Sequence, residues 1–488
     1  MISRNPNAIP FRRAKIVCTL GPASATPAVI GNLIDEGMDV ARLNFSHGAV
    51  ADHEERVRII REEAQRRGRA LAILQDLQGP KIRVGKVTPG TVLEAGAELI
   101  ITTEEILGTA ERVSTTYKDM PRDVRVGDTM LIDDGLMQLE VLEVEGEEIV
   151  ARVLIGGPLS NNKGINLPGV RVSAPSLSDK DHADLIVGQR LGVDFLALSF
   201  VRSPEDVIQA REAIARARAL FPEAAGRAPT LIIAKIEKPE AIERLESIID
   251  VSDGIMVARG DLGVELGAEK VPLVQKAAID MTNAKGKLVI TATQMLESMT
   301  TNPRPTRAEA SDVANAVLDG TDALMLSAES ASGRYPMLAV RTMATIIREV
   351  EGSRHFQEAK RRLSVPTAPI SANAIAQAAV VASRLVSAPL IAATSDSGGV
   401  VRLLSEHRPE ALVLGLTRNR DVYNQLAAYW GVLPVLFPEV ASAEEFLLRA
   451  CELLRDKGYG RAGDRVVLTM ALPFGSGNPT NTLQIVTL

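Results

Sequence analysis

Short runs of aliphatic and β-branched residues recur along the chain, and each leads into a stretch with helical spacing of its apolar positions. The runs are KIVCTLG (15–21), DVARLNF (39–45), LAILQD (71–76), DFLALSF (194–200), LIIAKIE (231–237), GIMVARGD (254–261), LVITATQ (288–294) and ALMLSAE (323–329). Near-continuous apolar character of this kind belongs to strands buried on both faces. The intervening ATPAVIGNLIDEG, HEERVRIIREEAQRRG and PEAIERLESIID are amphipathic at helical period. Eight strand–helix units predict a parallel sheet covered by helices and closed as a (β/α)8 TIM barrel, with its working face at the strands' C-terminal ends.

Two regions depart from this rhythm. Between about 84 and 172 the runs are short and alternating, as in VGDTMLIDDGLMQLEVLEVEGEEIVARVLIGG, which predicts a small inserted β domain. After about 347 come PLIAAT, ALVLGLT, RVVLTMA and TLQIVTL, separated by helical patterns, which predict a separate open α/β sheet. The expected organisation is therefore a barrel over 1–83 and 173–346, an insertion over 84–172 and a C-terminal domain over 347–488.

Composition narrows the class without changing the map. The 488 residues are 46% apolar and 24% charged with a net charge of −6, so no basic footprint for nucleic acid or an anionic membrane is expected. Cys18 and Cys451 lie in apolar contexts and read as buried thiols of a reducing compartment. No apolar leader follows Met1, and the apolar stretch 372–393 is interrupted by Gln377, Arg384 and Pro389. A cytoplasmic protein is expected.

The candidate chemistry lies where the runs end. Arg42, Asn44, Ser46, Asp76, Ser199, Lys235, Glu237, Arg259, Asp261, Thr293, Ser327 and Glu329 all fall there. In LIIAKIEKPE, Lys235 and Glu237 leave the same face of one strand. Taken alone, any of these is a rim residue meeting water, and the Lys235–Glu237 pair a rim salt bridge. Eight ends converging on one face favour a site. Glu237 and Asp261 offer two hard carboxylates, which suits Mg²⁺ (or Mn²⁺) completed by substrate oxygens and water. Lys235 and Arg42 supply positive charge for a phosphoryl or carboxylate group, and Gly260 and Gly263 permit close backbone approach to an anion. The five histidines are scattered, and nothing indicates zinc.

ARLNFSHG (41–48), DLQGPKIRVG (76–85), NNKGINLPG (161–169), AKIEKPEAI (234–242), MVARGDLGVE (256–265), TATQMLESM (291–299), NPRPTRAEASDVANAVLDGTDALMLSAE (302–329) and TNTL (480–483) together resemble pyruvate kinase, in order and with matching spacing. The resemblance implies transfer of a phosphoryl group from phosphoenolpyruvate to ADP, giving pyruvate and ATP, by a barrel with an inserted β lid and a C-terminal regulatory domain. It implies Glu237 and Asp261 as Mg²⁺ ligands, Lys235 as the charge on the phosphoryl group in flight, and Arg42 as a holder of that phosphate. The Gly260 and Asp261 backbone with the Thr293 hydroxyl matches the groups receiving the substrate carboxylate, and Thr293 and Ser327 match the proton relay to the enolate carbon. His47, Arg83 and Lys163 match nucleotide contacts, and a homotetramer is implied.

Two other classes are open. A different magnesium-dependent, phosphoenolpyruvate- or pyruvate-utilising barrel enzyme would need neither NNKGINLPG nor His47. A catalytically silent, effector-binding relative would have lost Lys235, Glu237, Asp261 or Thr293. The resemblance also places an effector phosphate at 393–407, with Thr394, Ser395, Ser397, Gly398 and Gly399 as its cradle and a sugar phosphate or AMP as the activator. Without that context the same residues are a helix cap and a glycine turn. PFGSGNPTNTL resembles a second effector loop and departs from its common form at Asn478–Pro479. Many members hold K⁺ with groups matching Asn44, Ser46, Asp76 and the Leu77 carbonyl. Lys81 stands where K⁺-dependent members carry Glu, and Leu77 replaces a hydroxyl residue. The Lys81 ammonium is expected to bring charge to Asp76 and the phosphate, so that K⁺ is not required; the alternative is a solvated loop charge beside a working K⁺ site.

Overall fold

The structure is a computed structural model and describes residues 11–474 and 477–488. All eight expected strands form: Lys15–Leu20, Val40–Asn44, Ala72–Asp76, Phe195–Leu198, Leu231–Ile236, Gly254–Ala258, Leu288–Ala292 and Ala323–Leu326. They pair in parallel with their sequence neighbours, and the first closes on the last to complete the barrel. Register places Arg42 beside Thr19 and Leu74, and Asn44 beside Asp76.

Strand alternation divides the apolar residues into two populations. Val17, Val40, Leu74, Ala197, Ile233, Met256, Ile290 and Met325 share one buried cluster. Their neighbours along the strands, among them Ile16, Cys18, Leu43 and Ile73, pack in another with helix residues such as Ile30, Leu33 and Val340. The helices start where short polar side chains take the first free amides. Thr26 accepts from Val29 N, and Ser178 and Thr306 do the same for Asp181 N and Glu309 N.

The insertion leaves after the third strand. Its six-stranded sheet runs Ile165–Asn166, Thr129–Ile132, Met137–Glu145, Glu148–Ile155, Glu98–Thr102, Arg112–Ser114, over a core including Leu99, Ile101, Leu139 and Ile149. The C-terminal sheet runs Val432–Leu436, Leu412–Thr417, Leu390–Thr394, Arg465–Met470, Thr482–Thr487, the last strand antiparallel. Val432–Leu436 is an addition to the expected four. Pro434 breaks its strand pattern, and it is tolerated because this strand lies at the sheet's edge. Of the second effector loop, Gly475 and Ser476 lie outside the described residues. Among the described residues, no helix is long and apolar enough to cross a membrane.

Candidate active site

The barrel's C-terminal rim gathers charge in a buried setting. Lys235 Nζ lies 2.7 Å from Glu237 Oε1, 3.5 Å from Asp76 Oδ1 and 2.7 Å from Ser199 Oγ. Arg42 Nε donates to Asp76 Oδ2 at 2.6 Å, and its Nη1 to Thr19 Oγ1 at 2.9 Å. Burial works to raise the Asp76 carboxyl, but Lys235 and Arg42 outweigh it and hold the group below its ordinary range. Burial likewise opposes charge on Lys235, and Asp76, Glu237 and Asp261 outweigh it, so the ammonium is held more tightly protonated than a free lysine. Glu237 goes the other way. Burial first, with the nearby charge of Asp261 adding to it, raises its carboxyl above the usual range despite Lys235.

The charge of Asp261 opposes ionisation of the buried Glu237 carboxyl, and a bound cation would relieve that opposition. Glu237 follows the fifth strand, and Asp261 sits in the first turn of helix Arg259–Leu266, which follows the sixth. Among the described residues no cluster of three or more His, Cys, Asp or Glu forms a metal cage. The donor set therefore fits a hard ion that takes one or two carboxylates and completes its shell with substrate oxygens and water.

The remaining expected residues distribute as follows. Thr293, at φ +68°, accepts from Gly260 N at 2.8 Å and donates to the Ala292 carbonyl at 2.6 Å, which sets its hydroxyl at the start of helix Arg259–Leu266. Ser327 Oγ is buried at the end of the eighth strand without a hydrogen-bond partner among the described residues, an orphan polar atom of the kind a ligand satisfies. Glu329 receives the amides of Ser327 and Leu296 and fixes that turn. Arg259, by contrast, bonds the Ala292 and Thr293 carbonyls and Asp312, and buttresses the rim.

Asn44 Oδ1 accepts from Ser46 N at 3.1 Å, and the Leu77 carbonyl accepts from Ser199 Oγ at 2.8 Å. Lys81 forms no salt bridge with Asp76, contrary to the expectation from sequence. Arg42 and Lys235 already occupy that carboxylate, and Lys81 instead lines a cleft between lid and barrel together with Asn166, Phe200 and Asp261. His47 is exposed, and its carbonyl lies 3.0 Å from His53 Nε2. Arg83 donates to the Asn162 carbonyl at the lid's base. Lys163 is drawn to Asp133 within the lid, at 2.8 Å. In the C-terminal domain, Thr394 ends a strand and Gly398, at φ +76°, caps helix Gly399–Glu406. Ser397 Oγ receives Gly399 N at 3.4 Å, Ser395 N donates to the Leu416 carbonyl, and the neighbouring Asp396 pairs with Arg418. Sequence reasoning placed Ser199 at the rim without a role, and did not assign Thr19 or Phe200 to the site, although Phe200 ends the fourth run.

The model of the pyruvate kinase barrel domain matches residues 11–340, and that of the pyruvate kinase alpha/beta domain matches 373–486. The chain is 47% identical over 475 residues to a pyruvate kinase of Mycobacterium intracellulare, covering 97% of this chain and 98% of that one. It is 44% identical over 477 residues to one of Geobacillus stearothermophilus, covering 97% and 80%. A solved pyruvate kinase from Cryptosporidium parvum superposes with a TM-score of 0.91 at 37% identity, covering 98% of this chain and 96% of the other. The chain belongs to the pyruvate kinase family, phosphotransferases that pass the phosphoryl group of phosphoenolpyruvate to ADP and release pyruvate and ATP.

Proposed function

We propose that this chain performs that transfer with Mg²⁺ held by Glu237 and Asp261, and with Lys235 and Arg42 as the cations that cover the moving phosphoryl group. The observation that carries this assignment is the placement of Lys235 against Glu237 at 2.7 Å and beside Asp76, itself held by Arg42. Little covalent chemistry falls to the protein in phosphoryl transfer. Fixed positive charge next to oxygens that gain charge, and restricted geometry of the reactants, supply the acceleration. When bound, the divalent ion would add Lewis-acid polarisation of substrate oxygens.

The substrate carboxylate would meet the Gly260 and Asp261 amides at the start of helix Arg259–Leu266, with the Thr293 hydroxyl alongside. Ser327, whose hydroxyl has no partner among the described residues, and Thr293 are the groups we assign to proton delivery. His47, Arg83 and Lys163 would serve the nucleotide, Lys163 after exchanging its bond with Asp133 for phosphate as the lid closes. The division at about 84, 172 and 347 assigns chemistry to the barrel, closure to the insertion and regulation to the C-terminal domain. There, the Thr394–Ser395–Ser397–Gly398–Gly399 turn would receive a phosphorylated activator, a sugar phosphate or AMP, in a homotetramer. K⁺ would not be required.

A coupled assay for ADP-dependent pyruvate formation with Mg²⁺ tests the whole scheme. Turnover that depends on both ADP and divalent ion is expected; ADP-independent consumption of phosphoenolpyruvate would overturn it. Titrating sugar phosphates and AMP at low phosphoenolpyruvate tests the regulatory part, and light scattering the assembly.

A further inference from the structure

The lid meets the barrel at one side chain that the reaction does not use. Glu265 is buried, and its Oε1 receives Lys238 Nζ at 2.5 Å and, from the lid, Asn166 Nδ2 at 2.9 Å. Glu265 and Lys238 each lie close along the chain to a proposed metal ligand. Glu265 stands one helical turn beyond Asp261 on helix Arg259–Leu266, and Lys238 directly follows Glu237. The Lys238 ammonium also sits 5.9 Å over the Phe200 ring, and Phe200 N donates to Glu237 Oε2 at 2.8 Å. Phe200 holds φ +55°, costly for a bulky residue and maintained by its surroundings.

The outgoing crossing between barrel and lid meets Phe200, and the return crossing is held by Arg202, two residues beyond it. A Cβ at Gly79, on the outgoing crossing, would fall 2.7 Å from the Phe200 ring, so only glycine fits. On the return, Arg202 bonds the Val172 and Ala174 carbonyls. We propose that Asn166, Glu265 and Lys238 are positioning residues: a latch through which the lid's placement sets the alignment of Glu237 and Asp261, so that a lid change alters metal affinity with no metal contact of its own. This rests on the assignment of those two carboxylates to the metal.

Mn²⁺ binding to the intact, substrate-free enzyme, titrated by electron paramagnetic resonance, tests it apart from activity. Wild type should bind Mn²⁺, and Asn166→Ala should weaken binding by a factor on the order of 2 to 30, the range of typical energetic coupling between connected sites. The Asn166→Ala effect should shrink in a Lys238→Met background, because the connection is already cut. Amide exchange of helix 259–266 should rise in Asn166→Ala, while the melting temperature shows the fold retained. Glu265→Gln, which keeps shape, should weaken binding in the same direction. Unchanged Mn²⁺ affinity in Asn166→Ala, or additive effects in the double variant, would overturn the latch. Wild type that binds no Mn²⁺ would overturn the metal assignment itself, and the latch with it.

Discussion

Lys235 and Glu237, two residues apart, meet at 2.7 Å at the mouth of the barrel, and the ammonium also approaches Asp76 at 3.5 Å. Three carboxylates raise the lysine's affinity for its proton, so it stays charged over the whole working pH range. A charge held ready where a phosphoryl group passes acts mainly in the transition state. Lys235→Met is therefore expected to lower kcat by roughly 10²–10³, the scale of removing one preorganised stabilising group, with a much smaller change in KM for phosphoenolpyruvate. Steady-state kinetics decide it: a change in KM alone would remove the assigned role.

The metal ligands separate from stability. The Glu237 carboxyl is raised by burial and by Asp261, so it ionises in the folded state at a cost. Glu237→Gln and Asp261→Asn should nearly abolish turnover while the cooperative thermal unfolding of the fold is retained. Chelation of the wild type should reproduce the loss of activity, and Mg²⁺ should restore it. Activity and thermal melts of the same preparations check both halves, and a variant with substantial Mg²⁺-dependent turnover would exclude that residue as a ligand.

The barrel and much of its rim are legible in the sequence because buried parallel strands are written as uninterrupted apolar runs, and the switch to Lys235, Glu237 or Asp76 marks where burial ends. What escapes is carried by distant contacts. Asn166 and Glu265 are 99 positions apart, and no local pattern joins them. Phe200 reads as one more apolar strand residue, since neither its positive φ nor its amide bond to Glu237 leaves a mark in the sequence. Val432–Leu436 is hidden by Pro434, which is acceptable only because that strand lies at an edge. The resemblance brings the Lys81 charge toward Asp76, but Arg42 and Lys235 fill that carboxylate first.

The seam between barrel and C-terminal domain carries a titrating pair. Arg408 Nη1 lies 2.5 Å from Asp322 Oδ1, while Glu406, also fully buried, accepts no hydrogen bond at either oxygen from the described residues and has Arg408 Nη2 3.4 Å away. One guanidinium faces two carboxylates; burial, then Asp322, pushes Glu406 well above its ordinary range. Because the folded-state pKa is raised, the stabilisation is complete below the unfolded carboxylate pKa of about 4.3 and is lost as pH rises through the folded value. Glu406→Gln, neutral at every pH, should flatten the pH dependence of melting and raise the melting temperature at pH 8–9. Trp430, the single tryptophan, lies 5.1 Å from the Arg408 guanidinium and 5.3 Å from that of Arg13, so its emission reports the seam directly. Identical pH profiles for the variant and the wild type would contradict the assignment of the proton to Glu406.

The last prediction concerns the monovalent cation. Three of the four groups expected to hold K⁺ have partners within the protein: Asp76 with Arg42 and Lys235, Asn44 Oδ1 with Ser46 N, and the Leu77 carbonyl with Ser199 Oγ. Lys81 forms no salt bridge among the described residues, so no carboxylate there neutralises its charge, and it lines the cleft between lid and barrel that contains the proposed metal ligand Asp261. A unit charge about 4 Å from another is worth roughly 4 kcal/mol at an effective dielectric near 20, enough to stand in for a bound ion. Full activity is therefore expected in Na⁺ or in a tetraalkylammonium salt without K⁺. Lys81→Glu removes that charge and adds an acceptor, and should make activity depend on K⁺. The comparison is made at equal ionic strength, because exposed charges are screened over about 10 Å at 0.1 M salt. Many-fold activation of the wild type by K⁺ over tetraalkylammonium would show that Lys81 does not replace the ion.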